Sequence, residues 1–197
     1  MRIIAGKYRS RLLKSLKGNA LRPTSDRLRE TLFDVLGGAV EGARFVDVFA
    51  GTGAVGMEAL SRGAAEAIFI EKHAQAARLI RGNLDSLGIT HAASILAADA
   101  LMALEKLAAR QSSAPPLIGF VFVDPPYAAH ADYKRTLEFL ASNSATFLAP
   151  DALIIFQHHH KLSLPTSCGR LTRTRLLKQG DAALSFFLLS VELQPVP

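Results

Sequence analysis

The chain has 197 residues, 49% of them apolar and 20% charged, enough for one core of roughly 150 residues and a small appendage. No apolar run approaches the ~20 residues of a membrane span. The opening Met1-Arg2-Ile3-Ile4-Ala5-Gly6-Lys7 lacks a signal peptide's apolar stretch, and the lone Cys168 excludes an intrachain disulfide or a cysteine-built metal cage, so a cytoplasmic location is expected.

In chain order, residues 2–6 and 11–15 are predicted to pair as a basic hairpin around Lys7-Tyr8-Arg9-Ser10. Arg22-Pro23-Thr24-Ser25-Asp26 supplies a break, capping side chains and an early acid. Leu28, Leu32, Val35 and Leu36 then recur at helical spacing until Gly37-Gly38 ends the run. Residues 1–38 form the expected appendage and residues 39–197 the core. There, apolar strands near 45–49, 67–70, 93–97, 119–123 and 152–157 alternate with helical patterns near 54–62, 73–87, 99–110 and 132–142. That alternation is the signature of βαβ crossovers and a parallel sheet. Gln111-Ser112-Ser113-Ala114-Pro115-Pro116 reads as a surface loop. The end differs: residues 170–178 and 183–189 read as two strands joined by Gln179-Gly180-Asp181, with no helix between. The expected fold is α/β and Rossmann-like, a mostly parallel seven-stranded sheet with helices on both faces and an antiparallel strand inserted near one edge, as in methyltransferases.

Phe45-Val46-Asp47-Val48-Phe49-Ala50-Gly51-Thr52-Gly53-Ala54-Val55-Gly56 is a buried-looking strand running through a glycine-rich turn into a helix. Gly51 and Gly53 permit a tight turn and a close backbone approach to a ligand, and the helix start presents unpaired N–H groups. Residues 51–56 match G-x-G-x-x-G, which fits a nicotinamide dehydrogenase equally well. Asp47 separates the two readings. Four residues before the first glycine, a carboxylate repels a pyrophosphate, whereas S-adenosylmethionine carries an ammonium and a sulfonium and no phosphate. Glu71 stands 20 residues after Gly51, the spacing at which a carboxylate reaches both ribose hydroxyls. Asp99, with Ala100 following at a helix start, is placed to accept from the adenine amine or to cap the helix.

Asp124-Pro125-Pro126-Tyr127 closes the apolar run Gly119-Phe120-Val121-Phe122-Val123 and reads as an amino-group methylation site. The exocyclic amine of a nucleobase is a poor nucleophile because its lone pair is delocalised into the ring. Acceptors on both amine hydrogens, the Asp124 carboxylate and the Pro125 carbonyl, draw the nitrogen toward a tetrahedral shape and aim that pair at a methyl group. Neither proline has an N–H to compete for local turns, and Pro126 biases Pro125 toward an extended backbone. Tyr127 offers a flat face for an unstacked base.

Charge is unevenly spread. Residues 1–30 hold nine Lys or Arg against two acids and residues 161–178 hold five against none, while the rest of the chain is acidic. This distribution matches a polyanion footprint in which Arg2, Lys7, Arg9, Arg11, Lys14, Lys17, Arg22 and Arg27 pair with phosphates; a solubilising basic surface is the plainer explanation for either cluster alone.

Together these residues resemble the RsmD family of bacterial 16S ribosomal RNA guanine-N2 methyltransferases, nearly end to end. The resemblance is carried by residues 1–9, Arg22-Pro23-Thr24-Ser25-Asp26-Arg27-Leu28-Arg29-Glu30-Thr31-Leu32-Phe33, Phe49-Ala50-Gly51-Thr52-Gly53, Glu58-Ala59-Leu60-Ser61-Arg62-Gly63-Ala64, Glu71-Lys72 and Asp124-Pro125-Pro126-Tyr127. It implies S-adenosylmethionine as donor, one methyl placed on N2 of a guanine, and 16S rRNA within the small ribosomal subunit as substrate. A monomer is expected. The chain departs from the family's pattern at Gln157-His158-His159-His160 and Gln179-Gly180-Asp181-Ala182. No metal is expected at the histidines, because successive side chains on an extended segment alternate faces, methyl transfer needs no metal, and no nearby acid or cysteine is expected to complete a ligand set. The competing readings are an adenine-N6 methyltransferase of DNA or RNA and a non-catalytic rRNA-binding assembly factor.

Overall fold

The computed structural model describes residues 1–15, 25–111 and 118–190. Lys17 and Arg22, Pro23 and Thr24 of the helix start, and residues 112–116 of the predicted loop lie outside them.

The core alternates β1 (Arg44–Val48), α2 (Ala54–Ser61), β2 (Glu66–Ile70), α3 (Ala74–Leu87), β3 (Ala93–Leu96), α4 (Ala100–Gln111), β4 (Ile118–Val123), α5 (His130–Ser142) and β5 (Leu148–His159), preceded by α1 (Asp26–Leu36). A four-residue helix, α6 (Ser144–Phe147), leads into β5, and β6 (Ser167–Cys168), β7 (Leu171–Gln179) and β8 (Ala182–Leu189) complete the sheet. The strand order is β3-β2-β1-β4-β5-β8-β7-β6. The first five strands are parallel, and β8 runs antiparallel to both β5 and β7. Among the described residues eight strands stand where seven were expected; the extra one, β6, has two residues, too short to show any periodicity.

Strand alternation sorts the sheet into two apolar layers. Phe45, Phe69, Phe120 and Phe122 face a layer with α1, α2 and α3, while Val46, Val48, Ile68, Ile70, Val121 and Val123 face one with α4, α5 and α6. Burial on both faces is why these parallel strands read as continuous apolar runs. Asp47 shares the face of Phe45 and so points toward α2.

The first helix is capped by Ser25, whose hydroxyl accepts from Leu28 N–H at 3.2 Å, and it ends at Gly37, whose φ of 55° few other residues adopt cheaply. Before it, the arms of the expected basic hairpin pair through an antiparallel bridge, Arg2 with Leu12, flanked by Ile3 N–H to the Arg11 carbonyl and Leu13 N–H to the Met1 carbonyl, both at 3.0 Å. Its backbone is tied to the core. Ile4 and Ala5 N–H donate to the buried Glu58 carboxylate at 2.8 and 3.0 Å, and Lys14 N–H donates to Asn83 at 2.8 Å. Ile3 and Leu13 fill the same apolar layer as α1, and the side chains left outside include Arg2, Lys7, Arg9, Arg11 and Lys14 together with Leu12.

Candidate active site

Between β1 and β4 the chain reverses its direction of travel across the sheet, and the crevice at such a switch point is where open α/β sheets bind ligands. A cavity of about 670 Å³ opens there. Strand pairing sets its two main parts side by side: Val48 is the register partner of Val123, and Asp124 N–H donates to the Val48 carbonyl at 3.2 Å.

One wall is the glycine turn. The strand stops at Val48 because Phe49 has a φ of 65°, a left-handed conformation that a bulky residue holds only when its surroundings impose it. Ala50 N–H to the Ile70 carbonyl at 3.0 Å and Gly53 N–H to the Ala50 carbonyl at 2.7 Å fix the turn. Gly53 starts α2 with a φ of 76°. At Gly56 a Cβ would stand 2.4 Å from the Phe69 ring, so the glycine is what lets α2 lie close on the sheet.

The acids are held by backbone amides. Asp47 is buried and accepts from Gly56 N–H at 2.9 Å. Burial pushes its carboxyl well above the usual carboxylate range; the Gly56 N–H opposes this and the charges of Asp124 and Glu71 add to it. Glu71 accepts from Gly51 N–H at 2.9 Å and His73 N–H at 2.8 Å. A carboxylate has about four acceptor positions, so hydroxyl donors can still be met there.

Across the cavity stand Asp124, Pro125, Pro126 and the half-buried Tyr127. The Pro125 carbonyl already accepts from the buried Tyr133 hydroxyl of α5 at 3.1 Å, which aims it and leaves a second lone pair. Burial, with the nearby charges of Asp124 and Tyr127, raises the Tyr133 phenol far above its ordinary value, so that O–H is a permanent donor.

Asp47, Phe49, Ala50, Gly51, Thr52, Glu71, Lys72 and the whole tetrapeptide line this one cavity. Gly53 lies behind it as the helix cap. Asp99 and Ala100 are outside the lining; Asp99 is exposed and accepts from Leu101 N–H at 3.1 Å, capping α4. Arg2, Lys7, Arg9, Arg11, Lys14 and Arg27 are outside it too. The reading of the sequence missed Tyr133 and much of the remaining wall, including Ser25 and Leu28 at the start of α1, Gln157 near the end of β5, and Gln179, Gly180 and Asp181 around the β7–β8 turn. Gln157, near the carboxyl end of a parallel strand, carried a usable signal. Tyr133 carried none beyond its place on a helical face.

The histidines are not laid out as strand alternation alone would have them. His158 follows the strand inward, where its Nδ1–H donates to the His159 carbonyl at 2.9 Å and its Nε2 accepts from the Ser185 hydroxyl at 2.9 Å. Burial holds its imidazole below the usual histidine range. But β5 ends at His159, so alternation does not separate the next two rings, which stack at 4.6 Å. The two-residue β7–β8 turn also brings an acid close: possible ligand atoms of His159, His160 and Asp181 all lie within 4.8 Å of one another.

A parallel sheet whose edge takes in a reversed strand, β8 between β5 and β7, with a glycine turn after β1, is that of the Rossmann-like methyltransferases, and the chain is of this class. The family described as Conserved hypothetical protein 95 matches residues 1–188. Ribosomal RNA small subunit methyltransferase D of Escherichia coli (strain K12) is 38% identical over 187 residues, 95% of this chain and 89% of that one. The solved structure of the Escherichia coli protein yhhF has a TM-score of 0.81 at 34% identity, covering 98% of this chain and 99% of the other. An RNA methyltransferase from Salinibacter ruber, solved with S-adenosyl-L-homocysteine, shares the fold at 14% identity and a TM-score of 0.62, covering 89% and 98%. The chain belongs to the family of ribosomal RNA small subunit methyltransferase D. Among the described residues, no helix is long and apolar enough to cross a membrane.

Proposed function

We propose that this protein transfers a methyl group from S-adenosylmethionine to the exocyclic N2 amine of a guanine in 16S rRNA of the small ribosomal subunit, in the bacterial cytoplasm. One observation carries the reading: the Asp124-Pro125 acceptor pair adjoins the glycine turn through the Val48–Val123 pairing, in one cavity bordered by Asp47, Glu71 and Asp124. So many carboxylates suit a cationic donor and disfavour a pyrophosphate.

In this reading Asp47 meets the donor's ammonium, Glu71 its ribose hydroxyls, and Phe49, Ala50, Gly51 and Thr52 its methionine end. The adenine lies toward the ends of β2 and β3, near Lys72 and outward to Asp99 and Ala100. The guanine rests on Tyr127, with its N2 hydrogens on Asp124 and the Pro125 carbonyl and Pro126 holding that carbonyl's backbone. The N2 lone pair forms the new bond to the methyl carbon as the carbon–sulfur bond breaks, its electrons passing to sulfur to leave S-adenosylhomocysteine. The proton shed by N2 goes to the Asp124 carboxylate and on to water. The acceleration is mostly orientation, with nitrogen roughly 3–3.5 Å from carbon in line with the sulfur. The exposed Arg2, Lys7, Arg9, Arg11, Lys14 and Arg27, with Lys17 and Arg22, pair with rRNA phosphates, so subunit binding weakens steeply with salt.

The test is mass spectrometry of rRNA nucleosides after incubating the purified protein and donor with small subunits from a strain lacking this activity. One N2-methylguanosine per 16S rRNA is expected. N6-methyladenosine, or no methylation although donor binds, overturns the reading.

A further inference from the structure

We propose that His159, His160 and Asp181 form a binding site for a divalent transition ion of the zinc class at the rim of the cavity, and that filling it blocks the acceptor base. The second half rests on the proposed function; the first does not.

The backbone sorts three consecutive imidazoles into different fates. His158 has both ring nitrogens engaged, by the His159 carbonyl and the Ser185 hydroxyl, and is no ligand. His159 closes β5 and His160 lies beyond it, so their rings stack at 4.6 Å with planes 28° apart. His160 N–H donates to the Asp181 carbonyl at 2.9 Å, pinning the β7–β8 turn and its carboxylate beside the two rings.

A second observation points to a ligand. The Nδ1 of His160 is shielded from solvent and has no hydrogen-bond partner. A polar atom withdrawn from water without a partner is costly, and a metal ion supplies one. His159 Nδ1 accepts from Lys161 N–H at 3.1 Å, so coordination by that ring gives up one hydrogen bond in exchange for a metal–nitrogen bond. Ligands on a tetrahedral zinc with bonds of ~2.0–2.1 Å lie about 3.3 Å apart. The three side chains, within 4.8 Å of one another, therefore close by an ångström or so through rotation. Two imidazole nitrogens and one carboxylate oxygen suit zinc and its neighbours and not magnesium or calcium, which take oxygen ligands. Water fills the fourth position.

The site touches the proposed base platform. The His159 ring meets Tyr127 edge-on, centroids 5.5 Å apart, and Asp181 is part of the cavity wall. A bound ion would clamp both over the acceptor end while the donor acids, held at β1 and β2, are untouched.

The experiment titrates the full chain, without a histidine tag, with Zn²⁺ against a chromophoric chelator. The parent is expected to take up one equivalent at micromolar affinity or tighter, and His160→Gln and Asp181→Asn each to weaken it at least tenfold. Calorimetry with S-adenosylhomocysteine checks that both variants keep the parent's donor affinity. No stoichiometric uptake by the parent, or equal affinity in the variants, overturns the site. One equivalent of zinc should also inhibit methylation of small subunits by the parent and spare His160→Gln; zinc bound with methylation unchanged overturns the blocking role. If zinc binds as expected but S-adenosylhomocysteine never does, it is the proposed function that fails.

Discussion

The two ends of the cavity are built in opposite ways. The part proposed for the donor's methionine and ribose comes from 27 consecutive positions, 45–71, and each acid there is gripped by main-chain amides: Asp47 by Gly56, Glu71 by Gly51 and His73. The acceptor end draws on α1, β4, β5 and the β7–β8 turn, segments far apart in the chain, and its main side chains, Asp124 and Tyr127, are half-buried. One end is specified by local sequence and preorganised before any ligand arrives; the other exists only because the sheet order brings its parts together. A general ligand common to a large class of enzymes needs only the first kind of site, while a particular RNA partner is accommodated by the second.

Substitution of Asp124 probes the acceptor end alone and should have the largest effect. Asp124→Ala is expected to lower the single-turnover methylation rate by about 10²–10⁴-fold, the range for losing a positioned acid, base or electrostatic group. Affinity for S-adenosylhomocysteine should be unchanged by calorimetry. Asp124→Asn keeps one acceptor and should retain more activity; equal rates for the two variants would remove the acceptor role. At the donor end Glu71→Ala should cost about 1.5–3 kcal/mol of donor affinity, as expected when hydrogen bonds to a charged group are lost. Because it also strips the Gly51 and His73 amides of their acceptor, a lower melting temperature should accompany it. A variant that loses stability and binds donor normally would make Glu71 a brace of the turn and nothing more.

The same contrast decides what could be read from sequence. The donor end was legible because continuous apolar runs, a glycine turn and an acid at fixed spacing are all local patterns. What escaped was conformational: nothing in the residue type says that Phe49 turns left-handed and ends β1 at Val48; for Asp99 an adenine contact and a helix cap were both legible, and the structure shows the cap. At the acceptor end only the tetrapeptide was visible. Gln157, Asp181 and Ser25 meet it through strand pairing and helix docking, and Tyr133 reaches Pro125 from a helical face whose sequence reads as ordinary core. The layout of the histidines, though not the expectation of no metal, was misread for a related reason, since alternation holds only inside a strand and β5 stops at His159.

Asp47 sharpens the comparison because stability and binding should move in opposite directions. Its folded carboxyl titrates well above its unfolded value of about 3.9. The stability this group contributes is therefore complete below about pH 4 and is lost as pH rises through the folded pKa. Asp47→Asn cannot ionise, and its carbonyl can still accept from Gly56 N–H. The donor-free variant should melt above the parent at pH 7 to 8, by about 2–4 °C for each kcal/mol recovered, and the two should converge near pH 4. Donor affinity should fall about tenfold, ~1.4 kcal/mol, as the ammonium loses its counter-charge. Parallel melting curves across that pH range would show that Asp47 is not the strained acid of the site.

The smallest effect is expected at the brace between the halves of the acceptor end. Tyr133→Phe removes the hydroxyl that donates to the Pro125 carbonyl and leaves the ring in its apolar layer. One buried neutral hydrogen bond is worth about 0.5–1.5 kcal/mol, so a modest drop in melting temperature is expected. The carbonyl keeps its place in the chain but loses the contact that aims it, and the misdirection should appear as a few-fold fall in the single-turnover rate, with affinity for S-adenosylhomocysteine and for small subunits unchanged. The Tyr133 phenol is held far too high to exchange protons near neutrality, so the pH profile of the rate should keep its shape. A loss approaching that of Asp124→Ala, or an altered profile, would mean that Tyr133 takes part in proton movement. An unchanged rate would mean that the Pro125 carbonyl needs no aiming and that Asp124 alone orients the amine.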